Sequence, residues 1–434
     1  MTVLDPHFFR HEFGRLVSVL GRVFGARNLA TCEDIAQETL CRALEVWKIE
    51  GVPAEPSAWL TTVAKNRAID SLRRERTRNL AVPELARYVE SEWTLVPMVS
   101  QFFERDPHRS DELAMMFTLA QPRLPEASRI ALILRVLCGF GIDEIASALL
   151  ASPDSIEKRI QRGRALLGHS LAPVSLESGE IEARLDAVQR AIYLLFNEGY
   201  HSASPSDVVR EDLCREAMRL SLLLAEHPRT SRPSSLALAA LVFLHAARLP
   251  GRRDEHGALL PFAGQDRTRW DKGLVRVGLE LLDRGAAGDD VSTYHLEAAI
   301  AAHHALAPSA SETQWEAIAR LYDALFARAP SPIVALNRAI ALGEAFGPEK
   351  GWEELVAIRT NDELARYPFL DAALGEFSLR LGRVSDAKRH FERAFGLARN
   401  DAERVFLRAR VNAVAEGTLE ERTTEGYPKM PVQR

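Results

Sequence analysis

The sequence predicts an all-α protein. Apolar residues recur at three- and four-residue steps through nearly every segment up to about residue 410, and strand-like alternation is absent. Two late stretches, WEAIARLYDALFARAPSPIVALNRAIALGEAFG and LDAALGEFSLRLGRVSDAKRHFERAFGLARND, read as helix-turn-helix repeats of about 34 residues.

Taken in order, residues 8 to 24 place Phe9, Phe13, Leu16, Leu20 and Val23 on one helical face. Thr31 with Asp34 three residues on predicts a capping box, followed by a helix with Ile35, Leu40, Ala43, Leu44 and Trp47 inward. Gly51, Pro53 and Pro56 break the chain. From Ser57, SAWLTTVAKNRAIDSLRRERTR forms a third helix with Leu60, Val63, Ala64, Ala68 and Leu72 inward and Asn66, Asp70 and Arg73 opposite. Pro83, Pro97, Pro107 and a run of acids mark a partly helical linker. EASRIALILRVLCG is then an apolar helix, and IDEIASALL and ASPDSIEKRIQRGRALL make two short helices in a helix-turn-helix pattern. Ser152 is the expected N-cap of the last, and Pro153 fills its first position, where a missing N–H costs nothing. Beyond Pro173 the breaks fall at 199–206, 228–233, 250–264, 285–290, 308–311 and 330–332, and the end of the chain reads as a loose tail.

At 434 residues, 47% hydrophobic and 26% charged, the chain is long enough for two or three globular domains. Cys32, Cys41, Cys138 and Cys214 form no CxxC pair, which argues against a zinc ribbon or disulfide framework and for buried thiols in a reducing cytoplasm. No leader-like segment opens the chain and no apolar run reaches membrane length, so the expected location is the cytoplasm. The net charge of −5 argues against a nonspecific DNA coat. Residues 1 to 171 hold 22 basic and 22 acidic residues, leaving 33 and 38 for the rest, so nucleic-acid contact must come from local basic faces.

One such face lies on the third helix. Lys65, Arg67, Arg73, Arg74, Arg76 and Arg78 against Asp70 and Glu75 give residues 57 to 78 a charge of +4, enough to follow a phosphate backbone. Asn66, an amide with both donors and acceptors, suits the edge of an unstacked base. A solvated charged face is the competing reading. AWLTTVAKNRAIDSLRRERTR is similar to the −10 reading segment of extracytoplasmic-function sigma factors, and EDIAQETLCRALEVW resembles the segment before it that binds polymerase. The resemblance implies that Lys65, Asn66 and Asp70 serve the −10 element and that Arg73, Arg74 and Arg76 engage phosphates. It also implies that Asp34, Gln37, Glu38 and Arg42 face the clamp helices of the polymerase β′ subunit.

LPEASRIALILRVLCGFGIDEIASALLASPDSIEKRIQRGRALL resembles sigma region 4, whose last helix enters the major groove at the −35 element. Ser155, Glu157, Lys158, Arg159 and Arg162 are then the base-facing candidates, with Ile156 and Ile160 in the core. Arg159 or Arg162 would grip a guanine with two hydrogen bonds, and Arg164 would hold phosphate. Leu150 departs from the pattern, since that turn position often carries Gly.

The remainder resembles the tetratricopeptide-like extension of one sigma-factor subgroup, which implies a regulatory role in place of a separate anti-sigma protein. FNEGY, FAGQDRTRWD, YHLEAAIAAHHA, SPIVALNRAIAL and LGRVSDAKRHFERAFGLARNDAERVFLRAR carry the likeness. Gln265, Asp266, Arg267, Arg269, Trp270 and Asp271 form a dense polar patch beside His295, His303 and His304. A buried ion-pair network is expected there, or the lining of a partner groove, rather than a metal or catalytic site, because no HxxxH or HExxH spacing occurs.

The expected domains are sigma region 2 (1–80), a linker (81–110), sigma region 4 (111–171), a helical regulatory domain (172–415) and a tail (416–434). The expected partners are core polymerase, through the β′ clamp helices and β flap, promoter DNA, and a protein or ligand of the repeat domain. No enzyme activity, cofactor or metal is implied. Two other accounts stand beside this one: a helix-turn-helix regulator acting without polymerase, and a sigma factor fused to a metabolite-binding domain.

Overall fold

The structure is a computed structural model. It describes residues 5–77, 92–104, 108–149, 151–167, 180–201, 209–253, 262–288, 290–398 and 401–415, with Leu176 and Leu260 besides. Among the described residues every regular element is a helix. Two compact units divide the chain: Met1–Glu198 with Arg215–Thr230, and Gly199–Cys214 with Ser231–Arg434. The expected border near residue 171 thus leaves two later helical segments clustered with the first unit.

In the first unit α1 (Pro6–Phe24), α2 (Leu29–Glu50) and α3 (Pro56–Thr77) pack together. Asp5 caps α1 and Gly25 ends it at φ 78, where a side chain would be strained. The capping box expected at Thr31 and Asp34 does not form, because both lie inside α2. A 3-10 turn over Ala26–Asn28 runs straight into that helix, and the amide of Asn28 donates to the Phe24 carbonyl instead. Leu60, Ala64 and Ala68 of α3 are fully buried and Val63 is half-buried. The N-terminal turn of α3 is tied to α1: Arg15 donates to the Ser57 carbonyl at 3.2 Å and to Thr61 at 2.9 Å, while Glu12 accepts from Ser57 at 2.8 Å. Trp59 packs edge-on against Trp47 at 5.4 Å, which fixes α3 across the end of α2.

Part of the expected linker is ordered structure. α4 (Glu92–Glu104) packs on α3 and α1, and α5 (His108–Leu119) packs on α1. Then come α6 (Glu126–Val136), α7 (Ile142–Ala148) and α8 (Pro153–Leu167), the last two in the expected helix-turn-helix order. Gly139, at φ 63, lets the chain reverse after α6. The Ser155 N–H donates to the Ser152 hydroxyl at 3.3 Å, with Pro153 at the start of α8 as expected. Gly163 sits where a Cβ would lie 2.6 Å from Leu132, so α8 seats closely on α6. Leu150 and the 416–434 tail lie outside the described residues. α9 (Glu182–Tyr200), through Glu198, and α10 (Glu211–Glu226), from Arg215, complete this unit.

The second unit is built of sequence-adjacent helices. α11 (Pro233–Ala246) packs with α12 (Lys272–Gly285) and α13 (Thr293–Leu306). Five further helices and a last one follow: α14 (Trp315–Arg328), α15 (Pro332–Phe346), α16 (Pro348–Ile358), α17 (Pro368–Arg380), α18 (Val384–Gly396) and α19 (Asp401–Ala415). Each expected repeat is a helix pair, α14 with α15 and α17 with α18. Close approach is built in at Gly343, whose Cβ would lie 2.4 Å from Phe377 and 2.8 Å from Gly351. Among the described residues one stretch, Pro233–Gly251, has the length and mean hydropathy of a membrane span, and 78% of it is buried in this unit's core.

Candidate nucleic-acid interface

The polar faces of α2, α3 and α8 emerge from this packing. On α2 the buried stripe of Ile35, Ala36, Thr39, Ala43 and Trp47 leaves Asp34, Gln37, Glu38 and Arg42 exposed together. Leu44, expected inside, is 49% exposed beside them, and Cys41, expected buried, is exposed on the same face. Neither was flagged by its sequence context.

On α3, Asn66, Asp70, Arg73 and Arg74 are exposed, and Lys65 and Arg67 are half-buried. Asp70 organises this face. Its carboxylate lies 3.6 Å from Arg73, and its carbonyl accepts from Arg74 at 3.3 Å. Arg67 pairs with Glu38, which joins the −10 candidate face of α3 to the polymerase candidate face of α2. The side chain of Arg76 lies outside the described residues.

On α8, Ile156 and Ile160 are buried as expected, Glu157, Lys158 and Arg162 are exposed, and Ser155 and Arg159 are half-buried. Arg164 is engaged: it pairs with Glu33 of α2. Burial raises the Glu33 carboxyl above its ordinary value and the Arg164 charge opposes that rise.

That pair is one of several between the two halves of the unit. Arg10 of α1 donates to the carbonyls of Cys138 and Gly139 at 2.7 and 3.0 Å, just beyond α6. Gly14 of α1 has no room for a Cβ, which would stand 2.5 Å from the Leu137 carbonyl oxygen. One guanidinium nitrogen of Arg22 donates to both carboxylate oxygens of Asp111 of α5, at 2.8 and 2.9 Å. Beside these contacts lies a buried charge cluster that was not anticipated. Arg219 of α10 bonds Glu112 at 2.6 Å and Glu216 at 2.7 Å, His7 is 3.4 Å from Glu216, and His11 is 3.9 Å from Glu112. Burial pushes Glu112 up to about 7 and His11 down to about 4. Burial would raise Glu216 as well, but bonds from His7 and Arg219 outweigh it and hold that carboxyl at about 2. A signal was present: Glu216 falls on the stripe of Leu213, Ala217 and Leu220, where a charge needs a partner.

Residues 8–78 match the Sigma-70 region 2 family and residues 115–167 the Sigma-70 region 4 family. Residues 184–286 match a family of unknown function, DUF6596. An uncharacterized protein of Rhizobium meliloti is 35% identical over 409 residues, covering 92% of this chain and 95% of its own. No solved structure matches. The chain belongs to the sigma-70 family of transcription initiation factors. Its partners are therefore core RNA polymerase and promoter DNA.

Proposed function

We propose that this chain is an extracytoplasmic-function-type alternative sigma factor of the cytoplasm, without catalytic chemistry of its own. The α2 face of Asp34, Gln37, Glu38 and Arg42 docks on the β′ clamp helices. Lys65, Asn66 and Asp70 on α3 read the −10 element while Arg73, Arg74 and Arg76 hold phosphate. Ser155, Glu157, Lys158, Arg159 and Arg162 on α8 meet the −35 bases, Arg164 meets phosphate, and region 4 reaches the β flap. The observation that carries this reading is the surviving polar face on each of the three helices, in that order along the chain.

The described arrangement is a closed form. The −10 and −35 elements are about 25 base pairs apart, roughly 85 Å at ~3.4 Å per pair, whereas here Arg164 of α8 touches Glu33 of α2. Engagement of both elements requires the halves to part. Between α3 and α5 lie α4, 13 residues and about 20 Å long as a helix, and about 17 further residues that reach up to about 60 Å, so the halves can part by roughly 80 Å with α4 intact. Closing contacts come also from the extension: Glu216 and Arg219 of α10 grip α1 and α5, and Arg184 of α9 donates to the Phe117 carbonyl at 2.9 Å. The extension, with its tetratricopeptide-like helix pairs, thereby regulates the factor by favouring closure until a partner or ligand shifts the balance.

The test is transcription in vitro with core polymerase and the full chain, against an Arg219→Ala, Arg10→Ala double variant. The variant should start transcription at lower protein concentration. Equal activity of both forms would remove the regulatory half of the proposal, and tight sequence-specific duplex binding without polymerase would favour a polymerase-independent regulator.

A further inference from the structure

Among the described residues the polar patch at 265–271 forms no ion-pair network. Asp266 is exposed and accepts from the Thr268 N–H and hydroxyl at 2.8 and 2.6 Å. Asp271 caps α12 by accepting from the Leu274 N–H at 3.0 Å. Both acids are exposed, as is Arg269, while Arg267 is half-buried. Arg248 and Arg252 are each 5% exposed, and among the described residues no carboxylate lies within ion-pairing distance of either.

Their charges are held by aromatic faces and by neutral acceptors. Arg248 stands 4.4 Å from the Phe262 ring centroid and 5.4 Å from that of Trp270, and donates once, to the Gln265 side chain at 3.2 Å. Arg252 lies 3.8 Å over Tyr200 and donates to its carbonyl. Arg267, half-buried, is 5.3 Å from Phe262 and donates to the carbonyls of His304 and Ala307 at 3.0 and 2.5 Å and to Thr313 at 3.2 Å. Four buried polar atoms in the same cluster have no hydrogen-bond partner among the described residues: Arg248 Nε, Trp270 Nε1 and both imidazole nitrogens of His304. His304 is 2% exposed and packs against Phe262 at 4.7 Å and Trp315 at 5.3 Å.

Among the described residues such a cluster is electrostatically incomplete. A buried guanidinium without a counter-charge is costly, and an unmade buried hydrogen bond adds about 1–3 kcal/mol. Burial lowers Arg248 to about 10, and the neighbouring charges of Arg252 and Arg267 push the same way. Glu312 is the acid that acts on Arg267, and it reaches neither of the other two.

We propose that this cluster is a binding site for an oxyanion group, a phosphate or a carboxylate carried by a small ligand, with Arg248 and Arg267 supplying charge and Trp270 and His304 supplying further hydrogen bonds. The aromatic rings exclude water, so one anion would be worth more here than on an open surface. The cluster falls largely within the matched family of unknown function, residues 184–286, and gives that segment a chemical task. It is independent of the sigma-factor reading.

The experiment follows thermal unfolding of the full chain in graded inorganic phosphate, in a parallel series with malonate, and in sodium chloride at matched ionic strength. The expected result is a midpoint that climbs with the logarithm of phosphate or malonate concentration beyond the chloride control, as ligand linkage requires. Which series responds identifies the oxyanion. His304→Phe keeps the ring packing and removes the unpartnered nitrogens, so it should fold at least as stably as the parent in chloride and lose part of the anion response. Arg248→Gln should abolish the response; if it does not fold, Arg267→Gln serves in its place. No rise above chloride in either series, or an equal rise in parent and His304→Phe, would overturn the site.

Discussion

Replacing Gly14 by Ala probes the closed form at its tightest point. The added methyl would stand 2.5 Å from the Leu137 carbonyl oxygen, a backbone atom at the end of α6 that no rotamer change moves away. Overpacking of this kind costs about 1–3 kcal/mol. Alanine also favours α1 as a helix by up to about 1 kcal/mol, but that gain is common to open and closed forms and cancels between them. The closed form should therefore lose about 5- to 150-fold in population relative to the open one, at about 1.4 kcal/mol per factor of ten. Energy transfer reads this directly. Cys41 is the exposed cysteine, Cys32, Cys138 and Cys214 are buried, and Gln161 on α8 is exposed, so a Gln161→Cys protein accepts one dye on α2 and one on α8. Gly14→Ala should lower transfer in the free protein and tighten core binding by a matching factor. Unchanged transfer would refute the steric argument, and lowered transfer with unchanged core affinity would refute the claim that closure competes with polymerase.

Other predictions concern separate parts of the chain. His11, with its neutral form favoured, contributes stability above about pH 6.5 that is lost as pH falls toward 4, while Glu112, held protonated, contributes stability below about pH 4.5 that is lost as pH rises toward 7. Between about pH 4.5 and 6.5 the two cancel, so denaturant titrations should give a plateau, with a fall below 4.5 as Glu216 loses the advantage of its depressed value. Glu112→Gln should turn the plateau into a slope of up to about 1.4 kcal/mol per pH unit. Gly343→Ala should destabilise the second unit by about 1–3 kcal/mol, because Gly351 and Phe377 leave no space for the methyl, and calorimetry should show the first unit unaffected. Arg162→Ala should cost about 1–3 kcal/mol at a −35 guanine and relax preference at that position, whereas Arg73→Ala should weaken promoter binding across sequences and shallow its salt dependence. Transcription from promoters with single −35 substitutions separates these two outcomes.

The helices were legible because their apolar spacing is strong, and the order Ser152–Pro153 announced the start of α8 correctly. The exposed faces followed from that same spacing, as Asn66 and Asp70 illustrate on α3. What the sequence hid was long-range pairing. Nothing near Arg164 or Glu33 in the chain indicates that they meet, and Arg10 reaches carbonyls that carry no sequence signal at all. Local rules also misled where a neighbouring turn outcompeted them: Thr31 and Asp34 have the capping spacing, but the 3-10 turn before Leu29 had already started the helix. Around residues 265–271 composition alone gave equal notice of acids and arginines, and only packing separates the exposed Asp266, Arg269 and Asp271 from the half-buried Arg267.

The most direct test of the central claim is run-off transcription with purified core polymerase, the full chain, and a pool of promoter fragments from the host. The account predicts initiation from a subset of fragments, dependent on the added chain and lost when Asn66 and Arg159 are replaced together by Ala. Failure to bind core polymerase or to start any transcript, in the parent and in the Gly14→Ala form alike, would contradict it.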